Sequence, residues 1–282
     1  MTMSDTSAVS SSSAPPEPDA VPVARSLLAR ATATPALLPV GTFVAIIALW
    51  EISCHLFAIP SYVLPAPSRI LGGFGSIDVL RWLEHVWGTL RVAMIGYFVS
   101  IAVAIPIAIA LARSQVLSRA FYPILVIVQS TPVVAIAPII IVALGSGDLP
   151  RVVITCLITF FPLVVSTTTG LMATPPELIE LSRSLRAPVF REISQIRLPY
   201  AIPYIFSALK ISVTLSVIGA VVAEFVAAEK GLGYFIQFST SMFKVQQAWA
   251  GLVILVLMSL VLFQAVVAVQ RIWFPWSLPK DK

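Results

Sequence analysis

Six long apolar runs alternate with short polar segments along this chain. The runs are residues 37–57, 89–112, 121–144, 152–171, 205–228 and 248–272. Each has roughly 20 residues or more, which is the length that a helix needs to cross the hydrocarbon core of a bilayer. The pattern therefore predicts an all-α membrane protein in which residues 34–282 form six transmembrane helices.

The composition supports the membrane assignment and excludes several other classes. Hydrophobic residues make up 58% of the chain and charged residues 11%, which is too apolar for a soluble domain. No cluster of Lys and Arg is interleaved with aromatic residues, so binding of nucleic acid is not expected. The two cysteines, Cys54 and Cys156, lie in apolar runs, and their spacing predicts neither a disulfide framework nor a metal site.

The distribution of basic residues predicts the orientation. An even number of crossings places both termini on one side of the membrane. Of the 18 Lys and Arg residues, eleven fall on the side of the termini and six on the other, with Lys210 at a boundary. The positive-inside rule therefore places both termini in the cytoplasm. Residues 1–33, rich in Ser, Ala and Pro, are expected to form a disordered cytoplasmic tail, because they lack apolar periodicity.

Polar residues inside the runs are candidates for a transport pathway or gate. One polar stretch adjoins Pro132 and is either a simple kink or a locally opened helix that lines a pathway. Glu224 lies on the same helix face as small and hydroxyl-bearing residues, so its carboxylate is expected to face other helices or a cavity. The alternative is that the carboxylate reaches the membrane interface, because Glu224 is close to the end of its span. The candidate residues are Gln129, Ser130, Thr131, Ser212, Ser216 and Glu224.

A charged segment, residues 177–199, interrupts the apolar pattern and is called the polar hairpin below. Thr174 followed by Glu177 matches a capping box, which predicts that a helix begins there. Pro188 should break this helix, and a second short helix should end before Pro199. The segment is either an ordinary solvated loop or a contact for a soluble partner, since leucines at helical spacing give it an apolar side.

The polar hairpin resembles the cytoplasmic loop of the permease subunits of bacterial ATP-binding-cassette importers. That loop carries a Glu-Ala-Ala motif, a glycine four residues later and an Ile-x-Leu-Pro ending. Here the matching positions hold Glu180, Leu181, Ser182, Arg186, Ile196, Leu198 and Pro199. Residues 65–71, 129–147, 203–225 and 231–236 are similar to the nitrate, sulfonate and taurine branch of this family, and the resemblance covers residues 37–273.

The resemblance implies a permease of the type I importer fold in the bacterial inner membrane. It would form half of a path for a small anionic or heterocyclic solute, together with a second permease, identical or paralogous. A binding protein outside the cytoplasm would deliver the solute and dock at Gly231, Leu232 and Gly233. No GxxxxGK[ST] segment is present, so ATP and Mg would be used by separate ATPase subunits, and this chain would bind no cofactor.

The resemblance also implies which residues contact the ATPase. They are Glu180, Leu181, Ser182, Leu185, Arg186, Ala187, Pro188, Ile196, Leu198 and Pro199. Leu181, Ser182 and Arg186 replace the small residues of the motif, which fits a branch variant or one half of a heterodimer.

Two other classes of function stay open at the level of sequence. A self-sufficient secondary transporter would be expected to carry an internal repeat and ion-coupling carboxylates at midplane, and no convincing repeat is found. An intramembrane enzyme would need a paired nucleophile and base, but the two histidines, His55 and His85, match no catalytic motif.

Overall fold

The computed structural model describes residues 37–278, and the predicted disordered tail, residues 1–33, lies outside this range. The chain divides into two compact units, one up to Ser53 and one from Cys54 onward. The first helix crosses this division and is described by itself; its apolar side chains, such as Phe43, are exposed.

Ten helices follow one another in the described part of the chain. They are α1 (Leu37–Leu56), α2 (Pro67–Phe74), α3 (Val79–Arg113), α4 (Gln115–Ser130), α5 (Val133–Leu144), α6 (Asp148–Met172), α7 (Pro176–Ser184), α8 (Val189–Ala227), α9 (Leu232–Ser241) and α10 (Val245–Trp273). By length and composition α1, α3, α6, α8 and α10 can each cross a membrane, and α4 with α5 gives a sixth span if the bent pair counts as one. The predicted all-α membrane fold is therefore confirmed.

Helix α6 lies between α3 and α8 and packs against both along its length. Two glycines allow this close approach. A Cβ atom on Gly96 would lie 2.5 Å from Thr155 Cγ2, and one on Gly219 would lie 2.9 Å from Thr155 Cα. Small residues at such crossings let helix backbones pack tightly in a membrane, where lipid gives no hydrophobic drive for association. The three helices thus form the closely packed centre of the unit.

The third apolar run is broken at Pro132. Helix α4 ends at Ser130, α5 begins at Val133, and the two axes are bent by 91°. Pro132 lacks a backbone N–H and disfavours helical geometry at the residue before it, which explains the break. This bend is much larger than a simple kink, so the interpretation of a locally opened helix describes the backbone correctly.

Helix α8 runs without interruption from the polar hairpin into the membrane. The prediction that the second hairpin helix ends before Pro199 is wrong, because α8 passes through this proline and extends to Ala227, with 39 residues in all. Residues Glu192–Arg197 form a π-helical stretch directly before this proline. A wider turn relieves the clash that a proline ring makes with the carbonyl four residues earlier.

Candidate functional site

The turn of the polar hairpin has a defined helix-ending geometry. Arg186 adopts a φ of +52°, in the left-handed region that favours glycine. Its N–H donates to the Arg183 carbonyl at 2.9 Å, and the Ala187 N–H donates to the Ser182 carbonyl at 3.0 Å. These two bonds form a Schellman motif, in which glycine is the usual left-handed residue. Arg186 therefore adopts a turn geometry that suits glycine, the residue that the importer motif has at this position, although an L side chain is strained there.

The hairpin begins differently from the prediction. Helix α7 starts after Pro175, and no side chain caps its first turn. The Thr174 hydroxyl instead donates to the Leu171 carbonyl at the end of α6, at 3.2 Å. The predicted capping box is therefore wrong, because two successive prolines place Thr174 one residue too early to reach the α7 amides.

An internal ion pair stiffens the second arm of the hairpin. Arg197 Nε and Nη2 each lie 2.8 Å from Glu192 Oε1 and donate to it. Both side chains are largely buried. The two residues are five positions apart across the π-helical stretch, where backbone bonds also join residues five apart. The charges thus satisfy each other inside the hairpin.

The turn presents apolar side chains that nothing in the described chain covers. Leu185 is 73% exposed, Phe190 is 81% exposed and Leu181 is 56% exposed. Clustered exposed apolar side chains next to polar ones mark contact surfaces for partners. The patch of Leu181, Leu185 and Phe190 is called the hairpin patch below. The sequence analysis did not single out Phe190. Its place two residues after the helix-breaking Pro188, at the turn of the hairpin, could have indicated an exposed aromatic side chain.

The opposite end of the unit carries a buried carboxylate. Glu224 is 1% exposed, and its Oε2 accepts hydrogen bonds from Thr89 Oγ1 at 3.0 Å and from the Gly233 N–H at 2.7 Å. Thr89 Oγ1 in turn accepts from the Leu232 N–H at 2.7 Å, and His85 Nδ1 accepts from the Gly231 N–H at 3.3 Å. Side chains of α3 and α8 thus bind three successive amides at the start of α9.

These three amides would otherwise be unsatisfied, because the first N–H groups of a helix have no partner within it. The two glycines make the arrangement possible. A Cβ atom on Gly233 would lie 2.8 Å from Glu224 Oε2, and one on Gly231, whose φ is +125°, would overlap the same carboxylate. The group of His85, Thr89 and Glu224 with the amides of residues 231–233 is called the α9 anchor.

An open cavity of about 600 Å³ adjoins the α9 anchor. Asp148 at the start of α6 pairs with Arg91 of α3 and, at 2.7 Å, with Arg151. Lys230, in the loop before α9, pairs with Glu84 of α3 at 2.5 Å, and the hydrogen bond to Glu84 raises the pKa of Lys230. Within residues 37–278 no cluster of three side chains is suited to hold a metal ion.

The match to a family of known proteins decides the class. Residues 100–276 match the family described as "Binding-protein-dependent transport system inner membrane component". The chain belongs to this family. It is a permease subunit of an ATP-binding-cassette importer, and the alternative of a self-sufficient secondary transporter is not supported.

Named relatives of this permease cover nearly its whole length. The formylaminopyrimidine transport permease ThiX of Halalkalibacterium halodurans is 33% identical over 86% of this chain and 96% of its own. The riboflavin transport permease RibX of Chloroflexus aurantiacus is 32% identical over 86% and 91%. The taurine transport permease TauC of Escherichia coli is 26% identical over 85% and 89%. These names confirm the resemblance to the branch seen in the sequence.

A solved structure of the MetNI methionine ABC transporter in inward-facing form shares the fold of this permease. The TM-score is 0.61 at 22% identity, and the match covers 68% of this chain and 96% of the other. The likeness confirms the predicted fold of a type I importer permease.

The predicted ATPase-contact residues of the permease meet at the hairpin with different exposure. Glu180, Leu181, Leu185, Arg186, Pro188 and Pro199 are exposed, Ala187, Ile196 and Leu198 are half-buried, and Ser182 is buried. Within the described residues, the Ser182 hydroxyl has no hydrogen-bond partner. The alanine that the motif carries at this position would leave no such group unsatisfied.

The predicted pathway and docking residues are divided between exposed and buried positions. Gln129, Ser130 and Thr131 are exposed at the break between α4 and α5. Ser212 and Ser216 are fully buried, and Ser212 Oγ donates to the Thr159 carbonyl of α6 at 3.2 Å. In this conformation Ser212, Ser216 and Glu224 therefore line no open path.

The predicted docking site also needs a correction. Gly231, Leu232 and Gly233 are buried, so they offer no surface to a binding protein and instead hold α9 in place. Sequence reasoning read this glycine-rich stretch as an exposed contact. Its exposed neighbours lie later in α9 and in the loop to α10, where Phe243 is 84% exposed.

Proposed function

We propose that the hairpin patch is the contact through which separate ATPase subunits drive this permease. Leu185 and Phe190 are exposed at the tip of a hairpin whose turn and second arm are each fixed by internal bonds. A rigid support is what a contact needs if displacement of the tip is to move the helix behind it. This exposed apolar tip on a rigid base carries the proposal.

The orientation of the permease in the membrane follows from the proposed contact between the hairpin patch and the ATPase subunits. The hairpin and both termini lie in the cytoplasm, where ATP and Mg are available to the ATPase subunits, and the protein resides in the bacterial inner membrane. The excess of Lys and Arg on this side supports the orientation. The α9 anchor then lies at the outer surface, where a binding protein arrives with the solute.

A second permease subunit, identical or paralogous, completes the path. Gln129, Ser130 and Thr131 are exposed at the break of a membrane span. Polar groups and broken helix ends are unfavourable against lipid and are tolerated where protein or water covers them. The solute is a small molecule, heterocyclic or anionic, in line with the formylaminopyrimidine, riboflavin and taurine named for the relatives.

The test is co-purification of the permease with the ATPase of its own source. In the double variant Leu185→Asp with Phe190→Asp, two carboxylates would be buried at the contact without partners, which is strongly unfavourable. We expect the amount of bound ATPase to fall at least about tenfold, while membrane insertion is unchanged because both positions are exposed.

Phe243→Asp is the matched control, since Phe243 is as exposed as Phe190 but lies at the other end of the unit. This control should retain the ATPase. Normal ATPase binding and solute-dependent ATP turnover in the double variant would show that the hairpin patch is not the coupling contact.

A further inference from the structure

Helix α8 has one face that no other part of the described unit covers. Its opposite face packs on α6 and α3 through buried residues such as Ser212 and Ser216. On the uncovered face, Ile211 is 51% exposed and Ile218 is 53% exposed. The two faces follow the helical period, since residues three, four and seven positions apart share a side.

Three polar side chains lie on successive turns of this uncovered face. Ser207 is exposed, and Lys210 and Thr214 are half-buried. The Thr214 hydroxyl donates to the Ile211 carbonyl of its own helix at 2.7 Å, so its proton is already used, and among the described residues the Ser207 hydroxyl is the free donor nearest to Lys210 on this face. A run of Ser, Lys and Thr is unsuited to a surface that faces lipid tails.

No carboxylate neutralises Lys210. Across residues 54–278, the side chain of Lys210 forms no ion pair and no hydrogen bond. The acidic residues of this range lie at the two ends of the helices. They are Glu177, Glu180 and Glu192 at the hairpin, and Asp78, Glu84, Asp148, Glu224 and Glu229 at the other end. Neither α5 nor α10, which also pack against α8, contains an acidic residue.

The position of Lys210 along α8 is well inside the helix. It lies 13 residues from Arg197 and 17 residues from Ala227, about 20 Å and 26 Å at the rise of an α-helix. Within the apolar run of residues 205–228, Lys210 lies five residues, about 8 Å, from the end nearer the hairpin. An ammonium group inside an apolar run faces protein or water, and such groups mark substrate or ion pathways in many membrane proteins.

We propose that Lys210, with the Ser207 hydroxyl one turn away, is an anion-binding subsite on the transport path. The ligand class is a small organic anion that presents a carboxylate or sulfonate group. An ammonium group attracts either anion, and the Ser207 hydroxyl on the adjacent turn can donate a further hydrogen bond. This inference rests on the proposed function, because it takes the uncovered face of α8 to line the path between two permeases.

The test measures charge selectivity at a nearby cysteine in the assembled importer with its ATPase and binding protein. Cys54 and Cys156 are replaced by alanine, and Thr214→Cys is introduced one turn from Lys210. The probes are two water-soluble thiol reagents of similar size, anionic methanethiosulfonate ethylsulfonate and its cationic trimethylammonium analogue, applied in phosphatidylcholine nanodiscs. Even at the dielectric constant of water, a positive charge about 6 Å away raises the reaction rate of the anionic reagent about threefold and lowers that of the cationic reagent about threefold. The ratio of the two rates therefore changes about tenfold.

We expect the anionic reagent to react faster, and Lys210→Gln to lower the ratio of the two rates about tenfold. Lys210→Arg should preserve the ratio, because it keeps the charge. Ile218→Cys, two turns further from the hairpin than Ile211, should also react, since the path continues along this face. If neither cysteine reacts, the face is buried in lipid and the inference is overturned.

A lipid headgroup is the other source of an anion. If the preference for the anionic reagent disappears when phosphatidylglycerol is added to the nanodiscs, Lys210 binds headgroups and the inference is likewise overturned. ATP turnover is measured in the same preparations. Normal turnover with no effect of Lys210→Gln on the ratio contradicts the subsite alone, whereas loss of ATPase coupling in the parent complex would contradict the proposed function.

Discussion

The α9 anchor predicts that two substitutions of Glu224 change the local stability of α9 by different amounts. Leucine removes both hydrogen bonds of Oε2 and leaves the buried Gly233 N–H without an acceptor. A hydrogen bond contributes about 1 kcal/mol net, and an unsatisfied buried group costs about 1–3 kcal/mol. We therefore expect Glu224→Leu to weaken the local stability of α9 by about 3–5 kcal/mol.

Glutamine has nearly the same shape and keeps an oxygen that can accept from the Gly233 N–H. Within residues 37–278 the other carboxylate oxygen, Oε1, accepts no hydrogen bond, so replacing it with an amide breaks no bond. Glu224→Gln should therefore cost about 1 kcal/mol or less.

Hydrogen–deuterium exchange of the peptide that contains residues 231–236 measures this local stability directly, because each 1.4 kcal/mol changes the exchange rate about tenfold. Glu224→Leu should accelerate exchange by about a hundredfold or more, and Glu224→Gln by less than tenfold. Glu177→Leu is the control, since this carboxylate is exposed and lies in α7 at the hairpin, far from the anchor; it should leave the peptide unchanged.

The outcome separates an anchor from a gate. If Glu224→Gln and Glu224→Leu accelerate exchange equally, the negative charge is required, which the hydrogen-bonding role does not predict. Unchanged exchange in Glu224→Leu would refute the anchor outright. A transport defect in Glu224→Gln with normal exchange would restore the pathway role that the sequence indicated.

Two further substitutions test the hairpin turn and the centre of the unit by thermal unfolding in detergent. Arg186→Gly should stabilise the permease by up to about 1 kcal/mol by relieving the left-handed strain. Glu180→Gly, in the interior of α7, should destabilise it by a similar amount, and the same sign for both would contradict the strain. Gly96→Ala should destabilise the permease by about 1–3 kcal/mol, because its Cβ meets Thr155, whereas Gly72→Ala, inside α2 with open space around it, should stabilise it by up to about 1 kcal/mol. A neutral Gly96→Ala would show that α3 and α6 do not pack closely.

The membrane fold could be predicted because its signal is local. A run such as residues 248–272 is apolar enough on its own to specify a spanning helix, and α10 covers it. The hairpin turn could also be anticipated, since the importer motif places a glycine where Arg186 adopts a left-handed backbone. Local rules failed at Pro199, where the π-helical stretch lets the helix continue.

The α9 anchor could not be predicted, because its partners are distant in sequence. Thr89 and Glu224 are separated by 135 positions, and His85 and Gly231 by 146. Nothing in the local pattern around Glu224 distinguishes a carboxylate that binds helix amides from one that faces a channel. The buried position of Gly231 and Gly233 beside it became evident only from the packing of α3, α8 and α9.

Helix α8 joins the two ends of the permease as one continuous helical rod. Its 39 residues span about 58 Å from the hairpin at Val189 to Ala227, three residues beyond Glu224. If the hairpin is the ATPase contact as proposed, one helix connects that contact with the base of α9. The π-helical stretch at Glu192–Arg197 is the one irregular turn in this rod. Under the proposed function, the stiffness of this stretch would set how much of a displacement at the hairpin reaches α9.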